Sequence, residues 1–230
     1  MAASPRGPDA TNRIVVIGRT GTGKTVCGLW HLSNYDLSAM PWIVCNLKGD
    51  EHIESLGRAT FVDGLEYVPS VKDRGLFVVS PTPYDLEGTA KDKSAFDRFL
   101  LKLWARGNVG IFIDEAYPIG NSKALVLCLT QGRSLRIPMI ICTQRPVWIT
   151  RFAFSEASFI QVFDLNIQDD IDTVESFVPL EWDKEKSLAP HQSFYYEVST
   201  AKLYRFNPCP DMDAVRATFE EKLPRRTVRI

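Results

Sequence analysis

"VIGRTGTGKTVCGLW", residues 16–30, decides the fold. A β-branched run, RIVVIG at 13–18, enters a glycine-rich loop, and Val26, Leu29, Trp30 and Leu32 follow at helical spacing. That order predicts a buried strand, a tight loop and a helix. Gly18, Arg19, Thr20, Gly21, Thr22, Gly23, Lys24 and Thr25 fit G-x-x-x-x-G-K-[ST] in full. Glycines reach positive φ and let successive backbone N–H groups converge on phosphate oxygens. A helix starting at Gly23 or Lys24 adds the positive end of its dipole. Lys24 is expected to reach the β- and γ-phosphates. The Thr25 hydroxyl is expected to complete the shell of a Mg²⁺ ion that otherwise keeps its waters.

Further along, IFIDEA (111–116) runs an apolar strand into two acids. Asp114, at the strand's end, is placed to hold Mg²⁺ through water. Glu115, one residue on, is placed to polarise the water that attacks the γ-phosphate. Two consecutive acids point to hydrolysis of the nucleotide. A small-molecule kinase needs no dedicated water activator, and no N-K-x-D sequence is present to read guanine. The pair therefore favours an ATP hydrolase over both of those classes. MIICTQRP (139–146) ends a second apolar strand on Gln144, one strand–helix–strand step later. An amide there is able to hydrogen-bond the γ-phosphate and the attacking water together.

Around these motifs, PWIVCNL (41–47) and SFIQVFDLN (158–166) read as strands. GLFVVSP (75–81) reads as a strand at a sheet edge. Segments 93–107, 121–136 and the short DDIDTVESFV (169–178) read as helices, the second capped by Asn121 or Ser122. SFYYEVSTAKLYRF (193–206) alternates like a hairpin turning near residues 199–201, and MDAVRATFEEKL (212–223) is a last amphipathic helix. Strands alternating with helices predict a three-layer α/β fold with a mostly parallel sheet. Residues 1–12 read as a flexible leader and 13–223 as one domain, with a peripheral hairpin and helix at 190–223. Residues 224–230 read as a basic tail.

Apolar residues make up 45% and charged residues 24% of the chain, as in ordinary globular proteins. A net charge of −1 gives no whole-molecule field toward a polyanion, so such contacts fall to local patches. The five cysteines lack C-x-x-C spacing and the three histidines add no zinc pattern, which suits reduced thiols in a cytosolic setting. No uncharged apolar stretch approaches the ~18 residues of a membrane span.

GRTGTGKT, IFIDEA and RSLRIPMIICTQRP, in this order, resemble the FtsK–HerA superfamily of P-loop motor ATPases. Within it, the chain is similar to genome-packaging ATPases of tailless, membrane-containing icosahedral viruses. The likeness runs over roughly residues 14–177. It implies an ASCE/RecA-like P-loop NTPase fold, ATP with Mg²⁺, double-stranded DNA translocation and a homo-oligomeric ring, hexameric or pentameric. Capsid or vertex proteins are implied partners, and the infected cell's cytoplasm and the virion packaging vertex are the implied locations. It also implies an arginine that completes a neighbouring subunit's site: Arg133 by motif position, with Arg136 and Arg145 as alternatives. Lys48 and Asp50 fall near the active edge. Lys72, Arg74, Lys123, Arg225, Arg226 and Arg229 are candidates for phosphate-backbone contacts on duplex DNA. Two other readings stay open: a membrane-less relative of filamentous-phage assembly ATPases, and a nucleotide-dependent assembly switch that moves no DNA.

Overall fold

Every residue of the Arg13–Ile17 strand (β1) is buried, because the strand is covered on both faces. Val15 and Ile17 point to one face, Ile14 and Val16 to the other, as the two-residue period of a strand requires. The computed structural model describes residues 9–89, 93–182, 188–223 and 228–229. Its other strands are β2 (Pro41–Asn46), β3 (Thr60–Val62), β4 (Gly75–Val79), β5 (Gly110–Asp114), β6 (Met139–Thr143), β7 (Phe159–Val162), β8 (Ser193–Glu197), β9 (Lys202–Phe206) and β10 (Val228–Arg229). The helices are α1 (Lys24–Ser33), α2 (Glu51–Glu54), α3 (Pro83–Leu86), α4 (Ala95–Arg106), α5 (Lys123–Gln131), α6 (Phe152–Ser155), α7 (Gln168–Glu175) and α8 (Met212–Lys222).

All ten strands join one sheet in the order β10-β3-β4-β2-β5-β6-β1-β7-β8-β9. The pairings from β10 to β7 are parallel, and only β7–β8 and β8–β9 are antiparallel. One face packs Ile43, Ile111, Ile141 and Ile160 under α4, α5, α6 and α7. The other packs Val44, Phe112 and Ile140 under α1, α2 and α8. This is the three-layer α/β fold. β6 lies between β1 and β5, so three loops that leave the sheet at its C-terminal edge are neighbours.

The strand at 75–79 is internal, not at an edge. Its outer neighbours β3 and β10 are three and two residues long, too short to show a period in sequence. Ser122, not Asn121, caps α5, its Oγ accepting from the Leu125 N–H at 2.9 Å. The hairpin falls where its alternation places it, but it extends the main sheet through β7. Tyr195 is a buried sheet-face residue stacked on Phe159 and His31. Residues 1–8, and Arg225 and Arg226 of the tail, lie outside the described residues. Val228–Arg229 pair with β3.

Two features of α1 fix the loop that precedes it. Gly28, at mid-helix, packs so closely that an added Cβ would come within 2.6 Å of Cys142 Sγ and 2.9 Å of the Phe112 ring. A side chain there would push the helix off β5 and β6, an overpacking cost of ~1–3 kcal/mol. A buried polar network then ties the helix to the hairpin side. His31 Nε2 lies 2.5 Å from Gln161 Oε1, Cys27 Sγ donates to the same oxygen, and Gln161 Nε2 donates to Ser193 Oγ at 2.8 Å. Burial pushes the His31 imidazole down to about 4, with the Gln161 hydrogen bond opposing it.

Candidate active site

In a parallel sheet, loops leaving the carboxyl ends of the strands converge, and here the three sequence motifs meet. The P-loop follows β1, the acidic pair ends β5, and Thr143-Gln144 ends β6. Gly23 sits at φ 94°, the left-handed geometry that turns the loop into the first turn of α1. Gly18 leaves no room for a side chain, since a Cβ would lie 2.6 Å from Phe163 Cβ. The loop is tied to both neighbouring strand ends. Gly18 N–H donates to the Thr143 carbonyl (3.3 Å), and Arg19 N–H donates to the Asp164 carbonyl (3.1 Å). Arg19 Nε also meets Asp164 Oδ2 at 2.6 Å, a partly exposed pair that orients more than it stabilises.

Lys24, Asp114 and Glu115 are all buried. Lys24 Nζ donates to the Arg19 carbonyl at 3.1 Å. Burial lowers its pKa, while the nearby Glu115 carboxylate works in the opposite direction. Thr25 Oγ1 donates to Asp114 Oδ1 at 2.9 Å. Asp114 Oδ2 is buried with no hydrogen-bond partner among the described residues. Burial raises this carboxyl to about 6, the Thr25 bond lowers it, and the charges of Asp50 and Glu115 raise it further. A hydroxyl and an unsatisfied carboxylate oxygen make an all-oxygen donor pair, which fits Mg²⁺ held by few protein ligands.

Glu115 adopts φ 60°, rare for a residue with a side chain and costing on the order of 1–3 kcal/mol. Contacts from the end of β6 hold it there. Gln144 N–H donates to Glu115 Oε1 at 2.9 Å, and Ala116 N–H donates to the Cys142 carbonyl at 2.9 Å. The Gln144 side chain faces the P-loop, where Thr20 Oγ1 donates to its Oε1 at 2.6 Å. Thr20 and Glu115 thus both bond Gln144, the first through its side chain and the second through its backbone N–H, a relay that links the phosphate loop to the second acid of the pair. Spacing alone did not predict this relay, because it depends on β6 lying between the two motif-bearing strands.

Other expectations divide. Asp50 caps α2, its Oδ1 accepting from the His52 N–H, and its charge and that of Lys48 reach Asp114. Arg145 is committed within the chain: Nε meets Asp170 Oδ2 at 2.9 Å, and its guanidinium lies 4.0 Å over Trp148. It is not placed to serve as a mobile finger. Arg133 and Arg136 precede β6, while Gln144 follows it. Arg13, the first residue of β1, pairs in register with Met139 and feels the charge of Arg133. Arg133 therefore lies at the opposite edge of the sheet from its own P-loop, and one chain does not bring them together. Lys72 and Arg74 are exposed at that far edge, before β4, whereas Lys123 opens α5 on the active side. These basic candidates form no single patch. Sequence reading missed His191, whose Nδ1 lies 3.1 Å from the Thr22 carbonyl. A lone histidine 169 positions away carries no sequence signal of that contact.

The DNA packaging ATPase P9 of Enterobacteria phage PRD1 is 42% identical over 224 residues, spanning 94% of this chain and 95% of that protein. Among solved structures, the genome packaging NTPase B204 of Sulfolobus turreted icosahedral virus 2, in complex with ATP-gammaS, matches with a TM-score of 0.64. The match covers 87% of this chain and 99% of that one, at 19% identity. EssC (ATPases 2 and 3) from Geobacillus thermodenitrificans matches with a TM-score of 0.63 at 10% identity, over 96% of this chain and 46% of that one. At such identities the two structures speak for the fold alone. No family model matches the chain.

Proposed function

The chain belongs to the family of the viral DNA packaging ATPase P9, and from that premise we propose that it is the ATP-driven motor that moves double-stranded DNA into a preformed capsid. The Thr20–Gln144–Glu115 relay carries this reading, because it joins phosphate binding to water activation in one chain of contacts. The P-loop amides and Lys24 hold the triphosphate. Glu115 accepts the proton of the attacking water, and Gln144 orients that water and registers the γ-phosphate. Thr25 and Asp114 would hold Mg²⁺, which when bound would offset charge on the phosphate oxygens. The reading places the work in the infected cell's cytoplasm and at the packaging vertex. Among the described residues no helix is long and apolar enough to cross a membrane.

The position of Arg133 supports a homo-oligomeric ring. An arginine at the far edge serves catalysis only when that edge faces the P-loop of another copy. The proposal is tested by measuring ATP turnover against added duplex DNA while recording the oligomer's mass. Duplex-stimulated hydrolysis by a closed oligomer, lost in Lys24→Ala, is the expected result. Hydrolysis by the assembled protein that ignores duplex DNA, with no DNA binding, would favour an assembly switch instead.

A further inference from the structure

Two of the five cysteines meet, although 182 positions separate them. Cys27 lies in the first turn of α1, where its N–H donates to the Gly23 carbonyl at 2.9 Å. Cys209 lies in the connection between β9 and α8, flanked by Pro208 and Pro210. Their Sγ atoms are 2.9 Å apart, about 0.9 Å more than the ~2.05 Å of a disulfide bond. The two prolines restrict the backbone around Cys209 and so hold its thiol in place. Asp211 caps α8, which packs against α1, and this anchors the connection just past Cys209. Access to the pair is one-sided: Cys27 is fully buried and Cys209 is partly exposed, while Cys45, Cys128 and Cys142 are buried. The sulfur contact with Cys27 holds the Cys209 thiol below its ordinary value, against the opposing effect of burial. A bound metal does not account for the pair. No group of three His, Cys, Asp or Glu side chains able to hold one occurs among the described residues, and His31, one turn along α1, bonds Gln161 instead.

We propose that Cys27 and Cys209 are a site of reversible oxidation, at which a hydroperoxide joins them in a disulfide that staples the β9–α8 connection to the P-loop helix. Cys209 reacts first, because it is the one of the pair that solvent reaches. Its thiolate attacks one peroxide oxygen. An S–O bond forms, the O–O bond breaks, and the second oxygen leaves as hydroxide or alkoxide and takes a proton from water. The Cys27 sulfur then attacks the Cys209 sulfur, forming the S–S bond and expelling the sulfenic oxygen, which leaves as water with the Cys27 proton. Two thiols are thereby oxidised by two electrons in all, and the peroxide is reduced by two. A thiol reductant reverses the step, so the bond persists only where hydroperoxide outruns cellular thiols. Cys27 gives up its S–H bond to Gln161, whose Oε1 keeps His31. The covalent tie spans 182 positions and so restricts the unfolded chain more than a short-range one does. None of these steps needs a bound nucleotide.

Hydrogen peroxide in small molar excess, applied to the reduced protein and then removed with catalase, tests the site. Denaturation in N-ethylmaleimide is then expected to label three cysteines instead of all five. Peptide mapping is expected to recover a cross-link between Cys27 and Cys209 that dithiothreitol opens. The urea midpoint is expected to rise by at least ~0.5 M on oxidation and to return on reduction. Cys209→Ser, a change at a partly exposed thiol, is expected to fold and to show neither the cross-link nor the rise. Cys27→Ala is expected to stop at the sulfenic acid on Cys209, where dimedone traps it. Five labelled cysteines after peroxide overturn the proposal, as does a Cys209 carried on to sulfinic acid while Cys27 stays free. A cross-link between the Cys209 thiols of two copies overturns it too, and so does a midpoint rise that Cys209→Ser keeps. The expected cross-link with an unchanged midpoint overturns the staple.

Discussion

The two edges of the sheet are built in opposite ways. At the carboxyl edge lie buried acids, an unsatisfied carboxylate oxygen and a glutamate held at φ 60°. At the amino edge lie arginines: Arg133 and Arg136 ahead of β6, Arg13 at the start of β1, and Arg74 ahead of β4. The first edge concentrates groups that need a cation or a phosphate chain to offset them. The second offers positive charge that its own chain does not bring to the phosphates. In the ring proposed above, one copy would hold two half-sites of opposite sign, each to be completed by another copy.

The largest expected effect tests that division. Arg133→Ala is expected to slow ATP turnover in the assembled protein by ~10³–10⁵-fold while ATP binding persists, the worth of an arginine acting on the transferred phosphoryl group. Unchanged turnover would leave the amino edge without a catalytic role. Next, Glu115→Gln should cost ~10²–10⁴-fold in turnover and retain bound ATP, as expected for loss of a general base. Mixing these two inactive variants sharpens the comparison. Some interfaces then pair an intact P-loop site with an intact arginine, so activity should partly return. A mixture as inactive as its parts contradicts completion in trans.

Two smaller effects probe the body between the edges and the amino edge itself. His31 has its folded-state pKa depressed from 6.5 to about 4. Its contribution to stability is present above 6.5 and is lost as pH falls through 6.5 toward about 4, because the unfolded chain takes up the proton first. The loss is expected to reach ~3 kcal/mol, read as a falling urea midpoint between pH 7 and 4. His31→Gln should flatten that slope, and an unaltered slope would assign acid sensitivity elsewhere. The smallest effect concerns Arg13, whose guanidinium nitrogens are buried with no hydrogen-bond partner among the described residues. Arg13→Met is expected to raise stability by ~1 kcal/mol, since an unpartnered buried cation costs more than an apolar side chain of similar length. Clear destabilisation would mean that the buried guanidinium is compensated within the chain, for which the charge of Glu156 is the candidate.

Much of the carboxyl edge was legible because its chemistry is local. A phosphate loop needs glycines and Lys-Thr at fixed offsets, and a buried strand ending in two acids is a short, contiguous signal. Gln144 was legible for the same reason, but its bonds to Thr20 and Glu115 were not, since they arise from strand order. β3 and β10 were invisible because two or three residues cannot display a period, and their absence made β4 look like an edge. Arg145 stood as an alternative for the arginine of a neighbouring site, and its bond to Asp170, 25 residues on, had no sequence signal.

One consequence follows from the length of β6. Five residues at ~3.3 Å each make a rod of ~17 Å, with Gln144, the proposed γ-phosphate reporter, past one tip and Arg133 in the segment that leads into the other. Parallel partners on both sides clamp the rod, so its ends keep step. In the proposed ring, a strand that felt its own phosphate at one tip and touched the next copy's at the other would act as a clock escapement. The order of firing around the ring would then be set by the stiffness of a single strand, with no separate messenger between subunits.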